Sequence, residues 1–120
     1  MSADEKMDSQ YEAALEHFRQ GLDQFYPMYI DGQEIRSDDG EFVHRSPIDT
    51  SIVVGHFQNG RRNHARLAIE AAKRSYPSWS GTRWQERVRI VRRAADLIER
   101  RRFEIAAAIT YEVGKTRGVG

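Results

Sequence analysis

The residues best placed to do chemistry are Gly114-Lys115-Thr116, because a Gly-Lys-Thr triplet can close a loop that cradles nucleotide phosphates. That loop also needs a glycine five residues before the Gly-Lys pair, where this chain has Ile109, and it must follow a strand. Ile105 to Val113 instead has helical spacing and alanine content. The triplet therefore reads as a helix end, with Gly114 as a left-handed cap and Lys115 beside the last carbonyls. A second candidate is the run Arg83, Arg87, Arg89, Arg92, Arg93, Arg100, Arg101 and Arg102, a basic face of the kind that attracts nucleic acid regardless of sequence. Glu86, Asp96 and Glu99 interrupt it, Asp96 stands four residues before Arg100, and no aromatic ring is placed among its exposed positions to stack on bases. The expectation is a solvated or domain-facing surface rather than a nucleic-acid interface.

The remaining chemistry is ruled out by composition. The chain has no cysteine, which excludes disulfides, thiolate metal sites and a thiol nucleophile. His17, His44, His56 and His64 show neither i,i+4 pairing nor a carboxylate at ligand spacing, so no metal site is expected. No Gly-x-Ser-x-Gly elbow occurs, and Gly114, Gly118 and Gly120 do not supply a dinucleotide fingerprint. No catalytic, cofactor-binding or metal-binding residue is assigned.

Charge is unevenly spread. The net charge is +1 over 120 residues, yet residues 1–60 carry −8 and residues 61–120 carry +9. Such halves suit nucleic acid, mutual complementarity or a larger body that takes up the excess. The acidic start and the short aliphatic runs argue against a secretory signal, a transit peptide or a membrane span, so a cytoplasmic location is expected.

The elements follow from periodicity. Residues 1–8 are expected to be a disordered start. Ser9 to Glu12 fits a capping box, and Tyr11, Leu15, Phe18, Leu22 and Phe25 line one face of a helix that Pro27 ends. Met28-Tyr29-Ile30 and Gln33-Glu34-Ile35 flank Asp31-Gly32, the residues a type I′ hairpin turn favours. Asp39-Gly40 precedes a strand at Phe42-Val43-His44, and Ile52-Val53-Val54 forms another that Gly55 interrupts or bends. Three helical segments follow. Asn63 caps the first, whose Ala65, Ala68, Ile69, Ala72 and Tyr76 share a face, with Glu70 set to pair with Arg74 and Pro77 as its stop. Thr82 to Gln85 is a second capping box, opening a helix with the seam Trp84, Val88, Val91, Ala95 and Ile98. The third runs from about Phe103 to Val113. The fold class is α+β: a leading helix, short strands, then three helices.

Trp79-Ser80-Gly81-Thr82, the Arg-rich helix, Arg102-Phe103-Glu104-Ile105-Ala106-Ala107 and Glu112-Val113-Gly114-Lys115-Thr116 occur in an order that resembles the N-terminal part of the aldehyde dehydrogenase superfamily. The form of these segments is most similar to the 1-pyrroline-5-carboxylate (glutamate semialdehyde) dehydrogenase branch. The resemblance runs from about Tyr11 to the end and covers roughly the first quarter of a full-length member, so residues 9–120 are expected to be an incomplete N-terminal part of that domain. It implies a Rossmann-type NAD(P)-binding domain, a cysteine nucleophile, a glutamate that activates water, and homo-oligomerisation of the whole enzyme. It also places a bend between Arg100 and Phe103. The matched positions are scaffold: the Tyr29–Ile35 hairpin, Ser46-Pro47, the Trp79 segment, the Arg87 helix and Glu112 to Lys115. The oxyanion segment, cofactor fingerprint, general base and cysteine of the family all fall beyond them.

Three expectations follow. The chain is a dehydrogenase segment, inactive alone, whose apolar seams lie against the remainder of the enzyme. It could instead be a non-catalytic module docking a protein partner through those seams. The third reading, nucleic-acid binding through residues 83–102, is the least favoured.

Overall fold

The computed structural model describes residues 2–116; Arg117, Gly118 and Gly120 lie outside them. The first helix, α1, spans Ala3–Gln20 and starts well ahead of Ser9, through residues expected to be disordered. The Ser-x-x-Glu pattern occurs twice, and the upstream copy is used: Ser2 Oγ accepts from Glu5 N at 3.2 Å while Glu5 Oε2 accepts from Ser2 N at 2.6 Å. Asp4 and Glu5 then sit in the first turn, where negative charge is favoured. The helix also ends earlier than Pro27. Gly21 donates to the Phe18 and Arg19 carbonyls, and Asp23, at φ 61°, turns the chain into a short strand. Leu22 and Phe25 are therefore not helical.

That strand, β1 (Gln24–Tyr26), pairs in parallel with β5 (Val53–Gln58), which pairs antiparallel with β4 (Glu41–Arg45), giving the order β1-β5-β4. Pro27 separates β1 from an antiparallel hairpin, β2 (Met28–Ile30) and β3 (Gln33–Ile35), with Met28 opposite Ile35. Its turn has Asp31 at φ 56° and Gly32 at φ 73°, the two positive angles of a type I′ turn. Gly55 does not interrupt its strand, although the pairing with β4 shifts register beside it, between His44 and Arg45. It lies inside β5, opposite Gln24 and His44, where the Tyr26 ring leaves no room for a side chain.

Three helices complete the chain: α2 (Arg62–Gly81), α3 (Trp84–Arg100) and α4 (Arg102–Val113). Arg61, not Asn63, precedes α2, and its N–H donates to Nδ1 of the buried His64 at 3.0 Å. Pro77 lies inside α2 rather than stopping it. Proline removes one helical donor, but Lys73, whose carbonyl loses that partner, is exposed to water. The expected Thr82 capping box does not form, because Thr82 Oγ1 instead donates to the Ser78 carbonyl at 2.8 Å and serves the end of α2. Glu70 lies 3.9 Å from Arg66, while Arg74 reaches Asp31 of the hairpin turn at 2.9 Å. Arg101, at φ −101° and ψ 14°, makes the bend between α3 and α4.

The packed part of the molecule is α4 against α1 and against the loop before β5. Ala107 and Ser46 are fully buried, with Tyr11 and Val54 nearly so. Phe18 stacks on Tyr111 at 5.5 Å between centroids. Thr110 Oγ1 donates to the Lys115 carbonyl at 2.8 Å, so the Tyr11 hydroxyl, 2.6 Å away, donates to Thr110. Among the described residues no helix is long and apolar enough to cross a membrane.

Candidate functional site

The largest chemical anomaly is an apolar surface without a partner. The α3 seam predicted from spacing does lie on one helical face, but none of α3 is buried: Trp84 is 63% exposed, Val91 61% and Ile98 59%. In α2 only His64 and Ala71 are buried, and Ile69 and Tyr76 of its expected face are open to solvent. Where α2 meets α3, Trp79, Trp84, Arg87, Val88, Val91 and Arg92 line an open groove of about 310 Å³. The Arg87 Nε is buried in this elbow without a hydrogen-bond partner, a position that calls for an acceptor.

These local gaps add up. The accessible surface is 9442 Å² for a 13.9 kDa chain, where a folded monomer of that mass has about 6,700 Å². The radius of gyration is 18.3 Å, against about 14 Å for a compact domain of this length. The α3 stripe read from spacing stands on one helical face, and the fold leaves it bare.

The candidate chemical motifs are placed as follows. Gly114, at φ 72°, caps the C-terminal end of α4, its N–H donating to the Thr110 carbonyl at 2.9 Å. Helix carbonyls converge there, and the partial negative charge they carry disfavours phosphate. Gly114 and Lys115 thus do not fit a nucleotide phosphate. The Arg-rich face is partly neutralised by i,i+3 pairs, Arg89 with Glu86, Arg102 with Glu99 and Arg101 with Glu104, rather than by Asp96 with Arg100. Hydrogen bonding to Glu86 and Glu104 raises the pKa of Arg89 and of Arg101, and the Arg101 bond lowers that of Glu104.

The histidines are dispersed. His64 caps α2, His44 Nε2 lies 3.1 Å from the Glu112 carbonyl, and His17 is exposed on α1. Among the described residues no three or more His, Asp or Glu side chains gather as metal ligands. His56 alone forms a cluster, with Asp23 and Glu41 each 2.7 Å from one ring nitrogen. Sequence spacing missed it because the three residues meet only across the sheet, and β1 gave no local signal.

Residues 35–119 match the sequence profile of the aldehyde dehydrogenase family, which is most of the chain. The chain belongs to the aldehyde dehydrogenase family. Among its relatives, 1-pyrroline-5-carboxylate dehydrogenase of Oceanobacillus iheyensis is 30% identical over 105 residues, covering 88% of this chain and 20% of that protein. The enzyme of the same name from Staphylococcus aureus is 32% identical over 114 residues, covering 95% and 22%. The crystal structure of 1-pyrroline-5-carboxylate dehydrogenase from Thermus with bound NAD superposes with a TM-score of 0.89 at 31% identity, over 93% of this chain and 22% of that one. This aldehyde dehydrogenase chain thus spans about a fifth of the length of the relatives it matches.

Proposed function

We propose that this chain is a scaffold segment from the N-terminal part of an NAD(P)-dependent aldehyde dehydrogenase of the 1-pyrroline-5-carboxylate type. The whole enzyme would be a cytoplasmic homo-oligomer oxidising glutamate semialdehyde to glutamate, with its thiol nucleophile, general base and dinucleotide site outside these 120 residues. The segment's task is mechanical: α2 and α3 present apolar faces and a basic rim to the remainder of the enzyme, while α1, α4 and the sheet hold that pair in place. The observation that carries this reading is the bare α3 seam in a chain whose fold follows complete dehydrogenases.

A two-chain reconstitution tests it. The chain alone, given 1-pyrroline-5-carboxylate and NAD⁺, should reduce no cofactor, having no thiol. Mixed with the Staphylococcus aureus relative deleted for the matching segment, it should restore NADH formation. Turnover by the chain alone, or none from the mixture when both parts are folded, would overturn the assignment.

A further inference from the structure

We propose that His56 is a pH-sensitive clamp that holds β1, and with it the end of α1, onto the sheet. His56 lies on the central strand β5, and its ring reaches a carboxylate on each side. Nε2 is 2.7 Å from Asp23 Oδ1, just before β1, and Nδ1 is 2.7 Å from Glu41 Oε1 on β4. Ionised carboxylates only accept hydrogen bonds, so both contacts together require a proton on each ring nitrogen. The imidazolium is the form that fits.

Little else secures β1. It has three residues, pairs in parallel, and lies at an edge of the sheet. Asp23 enters it from the left-handed region, with its N–H donating to the Val53 carbonyl at 3.2 Å. The Tyr26 ring stacks on Phe57 at 5.0 Å. The other charges near this face are engaged elsewhere. Val54 and Gln58 alternate with His56 on β5 and carry none. From β4 come Glu41 and Arg45, the latter donating to the Thr50 carbonyl at 3.1 Å. Opposite His56 on β1 is Phe25, covered by Arg36, which pairs with Glu34. Asp23 and Glu41 are the acids at the ring.

The two carboxylates raise the His56 pKa above its ordinary value of about 6.5, the hydrogen bond to Asp23 contributing most. A raised folded-state pKa makes the stabilisation complete below about pH 6.5 and lost as pH climbs through the folded value. Once the proton leaves, one ring nitrogen turns a lone pair toward a carboxylate oxygen. Asp23 is the more exposed of the two acids, 67% against 44% for Glu41, and the strand it leads into pairs with β5 over three residues where β4 pairs over five. Deprotonation should therefore loosen the α1–β1 joint first.

Proton NMR of the full chain reads this directly. The His56 ring signal should titrate above about pH 6.5. Amide protection of Gln24 to Tyr26, corrected for intrinsic exchange, should fall about three-fold or more between about pH 6 and pH 8.5. Asp23→Asn should lower the His56 midpoint, and His56→Gln should leave β1 protection the same at both pH values. A wild-type midpoint at or below about 6.5, or β1 protection indifferent to pH, would dispose of the clamp.

Discussion

Gly55 is where a single added carbon meets the most resistance. A Cβ there would sit 2.7 Å and 3.0 Å from two atoms of the Tyr26 ring and 3.2 Å from the Gln24 carbonyl oxygen. The ring is itself stacked on Phe57, which is stacked on Phe42, so it cannot swing aside without unstacking the row. Gly55→Ala should cost about 1–3 kcal/mol in urea unfolding and lower the protection of β1 before that of β4. A neutral result would mean that Tyr26 is not held against the sheet. The Tyr11–Thr110 pair gives a sharper comparison. Tyr11→Phe removes one hydrogen bond and should cost about 1 kcal/mol. Thr110→Val should cost more, because it also removes the donor to Lys115 and strands a Tyr11 hydroxyl on a residue only 7% exposed. Equal costs would show that the two hydroxyls do not act in series.

At the scale of elements, α3 separates stability from function. Val91 is mostly solvent-exposed, so Val91→Gln should change the chain's own unfolding free energy by no more than about 0.5 kcal/mol. The same change should cut the NADH formed in the two-chain reconstitution, since on the proposed assignment it puts an amide on the face that the remainder of the enzyme would cover. A loss of stability without a loss of reconstitution would mean that α3 packs within this chain. Elements with a strong local code were legible: the Asp31-Gly32 hairpin, the α3 seam and the Gly114 cap follow from residues a few positions apart. Elements decided by distant partners were not. β1 is three residues long and exists because β5 lies beside it, and His56 meets its acids only across that pairing. Local competition explains the misplaced helix boundaries. Two capping boxes were available to α1, and the Thr82 hydroxyl was taken by the preceding helix. Pro77 shows the opposite error, a strong local breaker overridden where the freed carbonyl is exposed. What the bare faces would lie against was written in no local spacing; that expectation came from the order of the Trp79, Phe103 and Glu112 segments and the family they resemble.

For the molecule as a whole, the question is how a chain with so open a structure responds to denaturant. An unfolded chain of 13.9 kDa exposes about 20,000 Å². Folding to 9442 Å² hides little more than about half of that, whereas a compact domain of this mass hides about two thirds. Because the denaturant slope follows the surface exposed on unfolding, the chain alone should show an m-value about a fifth smaller than a compact domain of equal length. It should also bind a hydrophobic dye while retaining the cross-strand contacts of the sheet. Adding the deleted relative should steepen the transition and suppress dye binding, because the α2 and α3 faces are then covered and meet water only when the pair unfolds. If the lone chain instead unfolds with a full-sized slope and binds no dye, its helices have closed on one another. The seams would then be an interior of its own, and the scaffold assignment would fall with them.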